Sequence, residues 1–418
     1  MTKKITALIL CLIFLCAAPV ALSGCETAQA KDLMEGVQSS DIEVIGNWSG
    51  KEADAVTDFG IRIFQQSLQS DGNTLVSPLS VLSALAMTAN GAQGQTRTQM
   101  EQVFGMPIEL LNEYLHSYCS QLPTAQNCQL SLANSIWIKQ DPSFTVNKDF
   151  LQTNADYYGA SLYQSPFDAS TKNAINQWVA KKTDGMIEQI VDEIPQAAVM
   201  YLVNAMAFDA QWQEVYQSYQ VADGVFTKED GTTQNVELMY SDEHEYLEDE
   251  NATGFIKYYQ DGKYAFVALL PNQGVSVSDY VSSLTGQRLH QMLSQPQDVQ
   301  VNAAIPKFQS EYSVEMSDIL ISLGMADAFD AKRADFSGIG SSTEGNLVIN
   351  RVLHKTFIGV DEQGTQAGAA TAVEMTAESA MAPEEVKMVI LDRPFVYLII
   401  DCEANLPLFM GATMEISQ

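Results

Sequence analysis

The chain has 418 residues, 46% hydrophobic and 18% charged. That is enough apolar material for a substantial core and too much for global disorder. Lys and Arg number 22 against 52 Asp and Glu, a net charge of -30 with no basic run, which excludes sequence-independent binding to nucleic acid.

The amino terminus reads as a targeting segment. Lys3 and Lys4 precede an uncharged apolar run from Ile5 to Leu22. Pro19 and the small residues around it argue for a signal-peptide core over a membrane span. Leu22-Ser23-Gly24-Cys25 resembles the lipobox of bacterial lipoproteins. The resemblance implies cleavage before Cys25 and lipidation of its thiol, so residues 1–24 are the expected signal peptide. An ordinary leader cleaved after Ala28 or Ala30 is the alternative. In both cases the mature chain is expected outside the cytoplasm. It would be anchored to the bacterial cell membrane or outer membrane, or released to the extracellular space. Residues 25–52 are polar and are expected to form a tether, and residues 53–418 a single domain.

Cys11 and Cys16 leave with the leader. Cys119, Cys128 and Cys402 remain, an odd set that excludes complete internal pairing. Cys119 and Cys128 are near enough in sequence to bridge, but spacing does not give the geometry. Cys402 sits in an apolar run and is expected to be a buried thiol.

Helices are predicted over Ala53–Leu68, Ser80–Ala89 and Ile175–Val191, the last interrupted near Thr183-Asp184-Gly185. Leu130–Ile138, Tyr201–Phe208, Tyr264–Leu270, Leu347–Val360 and Val386–Ile400 are β-branched or aromatic-rich and predict strands. Helices early and strands later suggest an α+β architecture.

Common catalytic patterns are missing. There are four histidines, and no GxSxG, HExxH or glycine-rich phosphate loop. No metal or cofactor site is expected. The acidic stretch Ser241–Glu250 does not match an EF-hand and is expected to be a solvated loop. Trp178 and Trp212 are expected in the core. A hydrolase with a site assembled in space survives as a weak alternative.

The informative segment follows Val360. From Thr365 to Ala382 there is no aromatic residue, no Leu and no Ile, so this stretch supplies little core. An alanine-rich linker or an exposed helix is one reading. Side-chain parity supports another. In an extended chain Thr365, Ala367, Ala369 and Thr371 share one face, and all are small. Such a segment is able to slide between two strands.

Glu362-Gln363-Gly364-Thr365 followed by small residues resembles the hinge of serpins, inhibitors whose reactive loop inserts into a sheet. Asn73-Thr74-Leu75-Val76-Ser77-Pro78-Leu79-Ser80, Leu132–Trp137 and Ile175–Val179 with Thr183, Gly185 and Ile187 are similar to further serpin segments. So are Val203-Asn204-Ala205, Ile305–Phe308, Leu323–Met325, Ala334–Gly338, His354-Lys355, Arg393–Phe395 and Pro407–Gly411, all in order.

The resemblance implies helices packed around three β-sheets, with an exposed reactive loop at about 362–384. It implies a monomeric suicide inhibitor with no catalytic residue and no cofactor. The expected hinge comprises Glu362, Gly364, Thr365, Ala367, Ala369, Ala370 and Thr371. Ser77, Asn204 and His354 correspond to a polar cluster beneath the sheet opening. The family's spacing places the reactive bond at Glu378-Ser379, with Ala377-Glu378 as the alternative. Expected partners are an extracellular serine protease, elastase-like or Glu-specific, with papain-like cysteine proteases also possible. A non-inhibitory surface-binding lipoprotein is the rival function. Two departures stand out: Gln366 where the family usually has Glu, and Asp209-Ala210-Gln211 where it often has a Lys-Gly pair. Thr365 is expected to turn inward only when the loop enters the sheet.

Overall fold

Apolar spacing decides how the first long helix, Lys51–Ser67, sits. Val56, Phe59, Ile63 and Phe64 fall on one face and are all buried. The structure, a computed structural model, describes residues 30–417 apart from 47, 70–71, 123–127, 196, 261, 344 and 366–385, and gives no side chain for Cys128.

Helix Pro78–Ala89 is buried on every side. Ser77 caps it, accepting the Ser80 N–H, and Pro78 fits the first turn because its missing donor is not needed there. The helix predicted over Ile175–Val191 is Ala169–Lys182. Asp168 and Thr171 close a capping box at its start. Thr183 ends it, donating to the Val179 carbonyl and accepting the Ile187 N–H, so the chain turns away.

The main sheet has seven strands in the order Lys31–Asp32, Ser161–Ser165, Cys128–Lys139, Met200–Gln211, Gly364–Thr365, Arg351–Val360 and Phe308–Glu315. Met200–Gln211 is central. It pairs antiparallel with Cys128–Lys139 and parallel with Arg351–Val360 over Tyr201–Ala207. Its residues alternate between two cores. Leu202, Met206, Phe208 and Ala210 face the large core around helix Pro78–Ala89. Tyr201, Val203 and Ala205 face the other side, in a smaller core with Ile175 and Val179 of helix Ala169–Lys182.

The other two sheets share one long strand, Thr233–Glu248. Val221–Thr227 pairs along its earlier part, Gln297–Pro306 from Leu238 to Tyr246, and Ala252–Tyr258 joins its end. From there the sheet continues through Tyr264–Pro271, Phe395–Asp401, Leu406–Thr413 and Thr74–Val76. Two expectations need correction. The acidic stretch Ser241–Glu250 lies mostly within the shared strand, with Glu243 turned into an ion pair, and is not a solvated loop. The strand predicted over Val386–Ile400 is two, Lys387–Ile390 and Phe395–Asp401, divided at Arg393-Pro394 because proline cannot donate to a ladder. Cys402 is only half-buried, in the turn after Phe395–Asp401.

Residues 30–50 also differ from the expected tether. Lys31–Asp32 adds a strand to the sheet edge at Ser161–Ser165, and the Leu33 N–H donates to the Leu162 carbonyl. The Ser40 N–H donates to Asp156 Oδ1 at 2.6 Å and the Ile45 N–H to Ser117 Oγ at 3.0 Å. Trp48 meets Tyr114 edge-on at 5.2 Å, and Leu33, Met34 and Val37 pack against the core. The open edge and its apolar surroundings recruit the segment although it is polar on average. A chain beginning at residue 50 is expected to be less stable by ~2–3 kcal/mol, from partial exposure of these four side chains. An unchanged denaturation midpoint would show that the segment rests on the body without stabilising it.

Candidate functional site

Two strands of the main sheet, Met200–Gln211 and Arg351–Val360, pair directly in their lower part and separate at the top. The short strand Gly364–Thr365 fills the separation. Gly364 lies opposite Gln211 and Thr365 opposite Ala210, antiparallel, while Thr365 also pairs with Val360. The reversal from Val360 is a tight turn. Asp361 Oδ1 accepts the N–H groups of Gln363 and Gly364, and the Asp361 N–H donates to the Gly364 carbonyl. Gly364 is required by proximity, since a Cβ there would lie 2.0 Å from the Ala210 carbonyl oxygen.

Thr365 is fully buried, and its Oγ1 lies 2.6 Å from the Tyr259 hydroxyl. This corrects the expectation that it turns inward only after insertion: the first small residue already occupies the sheet.

Further residues, which the sequence did not single out for this role, hold the turn. The Trp212 N–H donates to the Gln363 carbonyl, Trp212 Nε1 to the Asp361 carbonyl, and the Tyr216 N–H to the Glu362 carbonyl. Trp212 stacks on Tyr259 with ring centroids 4.6 Å apart. Lys257 is buried over the Tyr216 ring and donates to Glu243 at 2.8 Å. Burial works against its charge, yet Tyr216 and Glu243 together hold the Lys257 pKa above the ordinary lysine value. Lys307 bridges Glu362 at 2.5 Å and Glu237 at 3.2 Å. Burial disfavours the Glu362 carboxylate, but the Lys307 hydrogen bond outweighs it and its pKa is lowered. Trp212 is a core residue as expected, and it also fastens the hinge.

Below the hinge lies the polar cluster. Ser77, Asn204 and His354 are brought together and fully buried. His354 and Asn204 are cross-strand neighbours, as are Asn204 and Asn134 on the other side. The Ser77 N–H donates to His354 Nε2 at 3.1 Å. That nitrogen therefore carries no proton, and Nδ1 donates to Asn204 Oδ1. Asn204 Nδ2 donates to Ser80 Oγ and Asn134 Oδ1, each at 2.5 Å. Burial pushes the His354 pKa down to about 3, so the ring is neutral. Asn134 and Ser80 lie within two of the serpin-like segments, but nothing local marked them as partners.

The other residues expected to act in anchoring, insertion or cleavage are Cys25, Ala367, Ala369, Ala370, Thr371, Ala377, Glu378 and Ser379, and all lie outside the described residues. Among the described residues no group of three or more metal-ligating side chains exists.

The family model described as serpin (serine protease inhibitor) matches residues 54–416. The chain is a serpin. An uncharacterised serpin-like protein of Thermococcus kodakarensis is 28% identical over 368 residues, covering 86% of this chain and 85% of its own. The leukocyte elastase inhibitor of Equus caballus is 29% identical over 379 residues, covering 85% and 97%. Among solved structures, the thermophilic serpin tengpin in its native state shares 45% identity with a TM-score of 0.89, covering 93% of this chain and all of that one. The same protein in its latent state matches at 0.77. The serpin fold, helices around three β-sheets, is therefore present as expected. Members of this family are normally protease inhibitors and not enzymes.

Proposed function

We propose that this serpin inhibits an extracellular serine protease by inserting its cleaved loop between strands Met200–Gln211 and Arg351–Val360. The carrying observation is the register of Gly364–Thr365, which already starts such a strand. Continued residue by residue, that register brings position 367 beside Phe208, 369 beside Met206 and 371 between Asn204 and His354. These inward positions carry Ala, Ala and Thr. A new strand there must part the Asn204–His354 hydrogen bond, and the Thr371 hydroxyl is placed to replace it.

The protease serine attacks the loop carbonyl at Glu378-Ser379, or at Ala377-Glu378, and forms an acyl-enzyme. Insertion past Thr365 as far as residue 378 then carries the enzyme roughly 43 Å, at ~3.3 Å per residue. The outcome is a kinetic race between insertion and deacylation. Alanines in the loop favour an elastase-like target, and the likeness to a leukocyte elastase inhibitor supports that class. Glu378 also suits a Glu-specific protease. Cys25 is the proposed lipid anchor, since Leu22-Ser23-Gly24-Cys25 follows an apolar leader.

Mixing the protein with an elastase and with a Glu-specific protease tests this reading. A covalent adduct that survives a denaturing gel is expected with at least one, and the mass of the released carboxy-terminal peptide reports the bond. Complete turnover without an adduct, with no rise in melting temperature after loop cleavage, would favour the surface-binding alternative. Cys25→Ala should move the protein from the detergent phase to the aqueous phase; unchanged partitioning counts against lipidation.

A further inference from the structure

At the top of the main sheet one carboxylate has no partner among the described residues. Asp209 is the next residue below Ala210 on the central strand, one step beyond the point where Gly364–Thr365 stops. It is half-buried, and its side chain makes no hydrogen bond or ion pair among the described residues. Strand parity places it on the face of Tyr201, Val203 and Ala205, the side covered by helix Ala169–Lys182. Across the separation, continuing the parallel pairing of Phe357 with Ala207 brings Gly359 opposite Asp209. Gly359 has no side chain with which to neutralise it.

Among the described residues no cation compensates it: none of Lys172, Lys181 and Lys182 on that helix pairs with Asp209. Asp361, on the same face at the head of Arg351–Val360, is a like charge, and its Oδ1 is occupied by the hinge turn. Lys307 is taken by Glu362 and Glu237, and Lys355 by Glu311 and the Gln189 carbonyl. On the other side the cross-strand neighbour is Gln129, which is neutral. Burial first, and the Asp361 charge second, push the Asp209 pKa up to about 6.

We propose that Asp209 sets the rate at which a strand enters the main sheet, slowing it when ionised and permitting it when protonated. A strand extending past Thr365 must pass directly beside Asp209. It would remove the water that solvates the carboxylate on that side without bringing a cation. The ionised form resists this desolvation and the neutral form does not. A protonated carboxyl can in addition donate a hydrogen bond to the new strand. The cluster at His354 gives no comparable effect in this range, because its ring stays neutral down to about pH 3. Loop insertion is thereby coupled to mildly acidic surroundings. This deepens the inhibitory reading and rests on it.

The test uses the full chain and a synthetic peptide with the sequence of residues 366–378 as the added strand, since Thr365 of the chain already fills its own place. Incorporation is followed by native gel and by the rise in melting temperature, at about pH 5 and about pH 7.5 and one ionic strength. Wild type is expected to incorporate the peptide on the order of tenfold faster at the lower pH, as protonation of a group near pH 6 requires. Asp209→Asn and Asp209→Ala should both be fast at both pH values. A residue that merely stabilised the sheet would shift the rates without flattening the profile. Titration of the peptide's own glutamates is common to all three proteins and cancels in the comparison. A flat wild-type profile, or a slope retained in both variants, would overturn the role of Asp209. Loop cleavage without peptide checks the inhibitory reading separately. A gain in melting temperature alongside a flat peptide profile removes only the Asp209 proposal. No gain and no incorporation in any variant removes both.

Discussion

Thr365→Arg is expected to convert the protein from an inhibitor into a substrate. Thr365 is fully buried between Ala210 and Val360 and bonded to Tyr259. An arginine would bring an unpaired cation into that position, at a cost of ~3–5 kcal/mol. The cheaper outcome is expulsion of Gly364–Thr365 from the sheet while the rest of the fold persists. The cut loop then loses the two residues that start the new strand, so deacylation overtakes insertion. Cleavage should proceed at the wild-type rate with no covalent adduct, and the cut protein should melt no higher than the uncut one. Gln366→Arg is the control. Position 366 has the opposite parity and falls beside Asp209 in the extended register, so inhibition should persist. A Thr365→Arg protein that trapped protease at the wild-type rate and stoichiometry would refute the insertion mechanism for this chain.

The polar cluster should give the largest loss of stability from a single truncation. Asn204→Ala removes the acceptor of His354 Nδ1–H and the donor to Ser80 and Asn134 at once. Partners left buried and unsatisfied cost ~1–3 kcal/mol each, and because the losses are not additive a total of about 3–5 kcal/mol is expected. A denaturation midpoint within experimental error of wild type would mean that water replaces the side chain without penalty.

His354 adds a pH dependence whose sign is determined. Its folded pKa is about 3, below the ordinary value of 6.5, so the unfolded chain binds the extra proton between these limits. Its contribution is therefore complete above about pH 7 and declines as pH falls from 6.5 towards 3. Between about pH 7 and pH 5.5 the expected loss from this one group is about 1 kcal/mol. Asp209 acts in the opposite direction, since its pKa is raised and its neutral form suits the fold. The measurement is thus the difference between wild type and His354→Gln. The two stability profiles should diverge at pH 7 and converge as pH falls; parallel profiles would show that His354 titrates alike in the folded and unfolded chain.

Local chemistry was enough for several conclusions. Four apolar residues at helical spacing placed Lys51–Ser67 to within a few residues, and the apolar run Ser80–Ala89 located the helix that carries the core, which starts at Pro78. The run of small residues after Gly364 declared by size alone that it could pass between strands. Other features depended on pairing between distant segments. Asn204 and His354 are 150 residues apart, and only the parallel register makes them neighbours. Trp212 reads as a core residue because burial of an aromatic ring is a local expectation; that its indole N–H holds the Asp361 carbonyl follows from where two strands separate. Residues 30–50 read as a tether because their composition is polar, yet an open sheet edge elsewhere in the chain supplies their hydrogen bonds. Asp209 is an ordinary acid in the sequence, and becomes an isolated one only where Gly359 and Asp361 meet it across the sheet. Residue identity determines what a side chain can do, whereas strand register, a long-range property, decides which groups it meets and how much water it keeps.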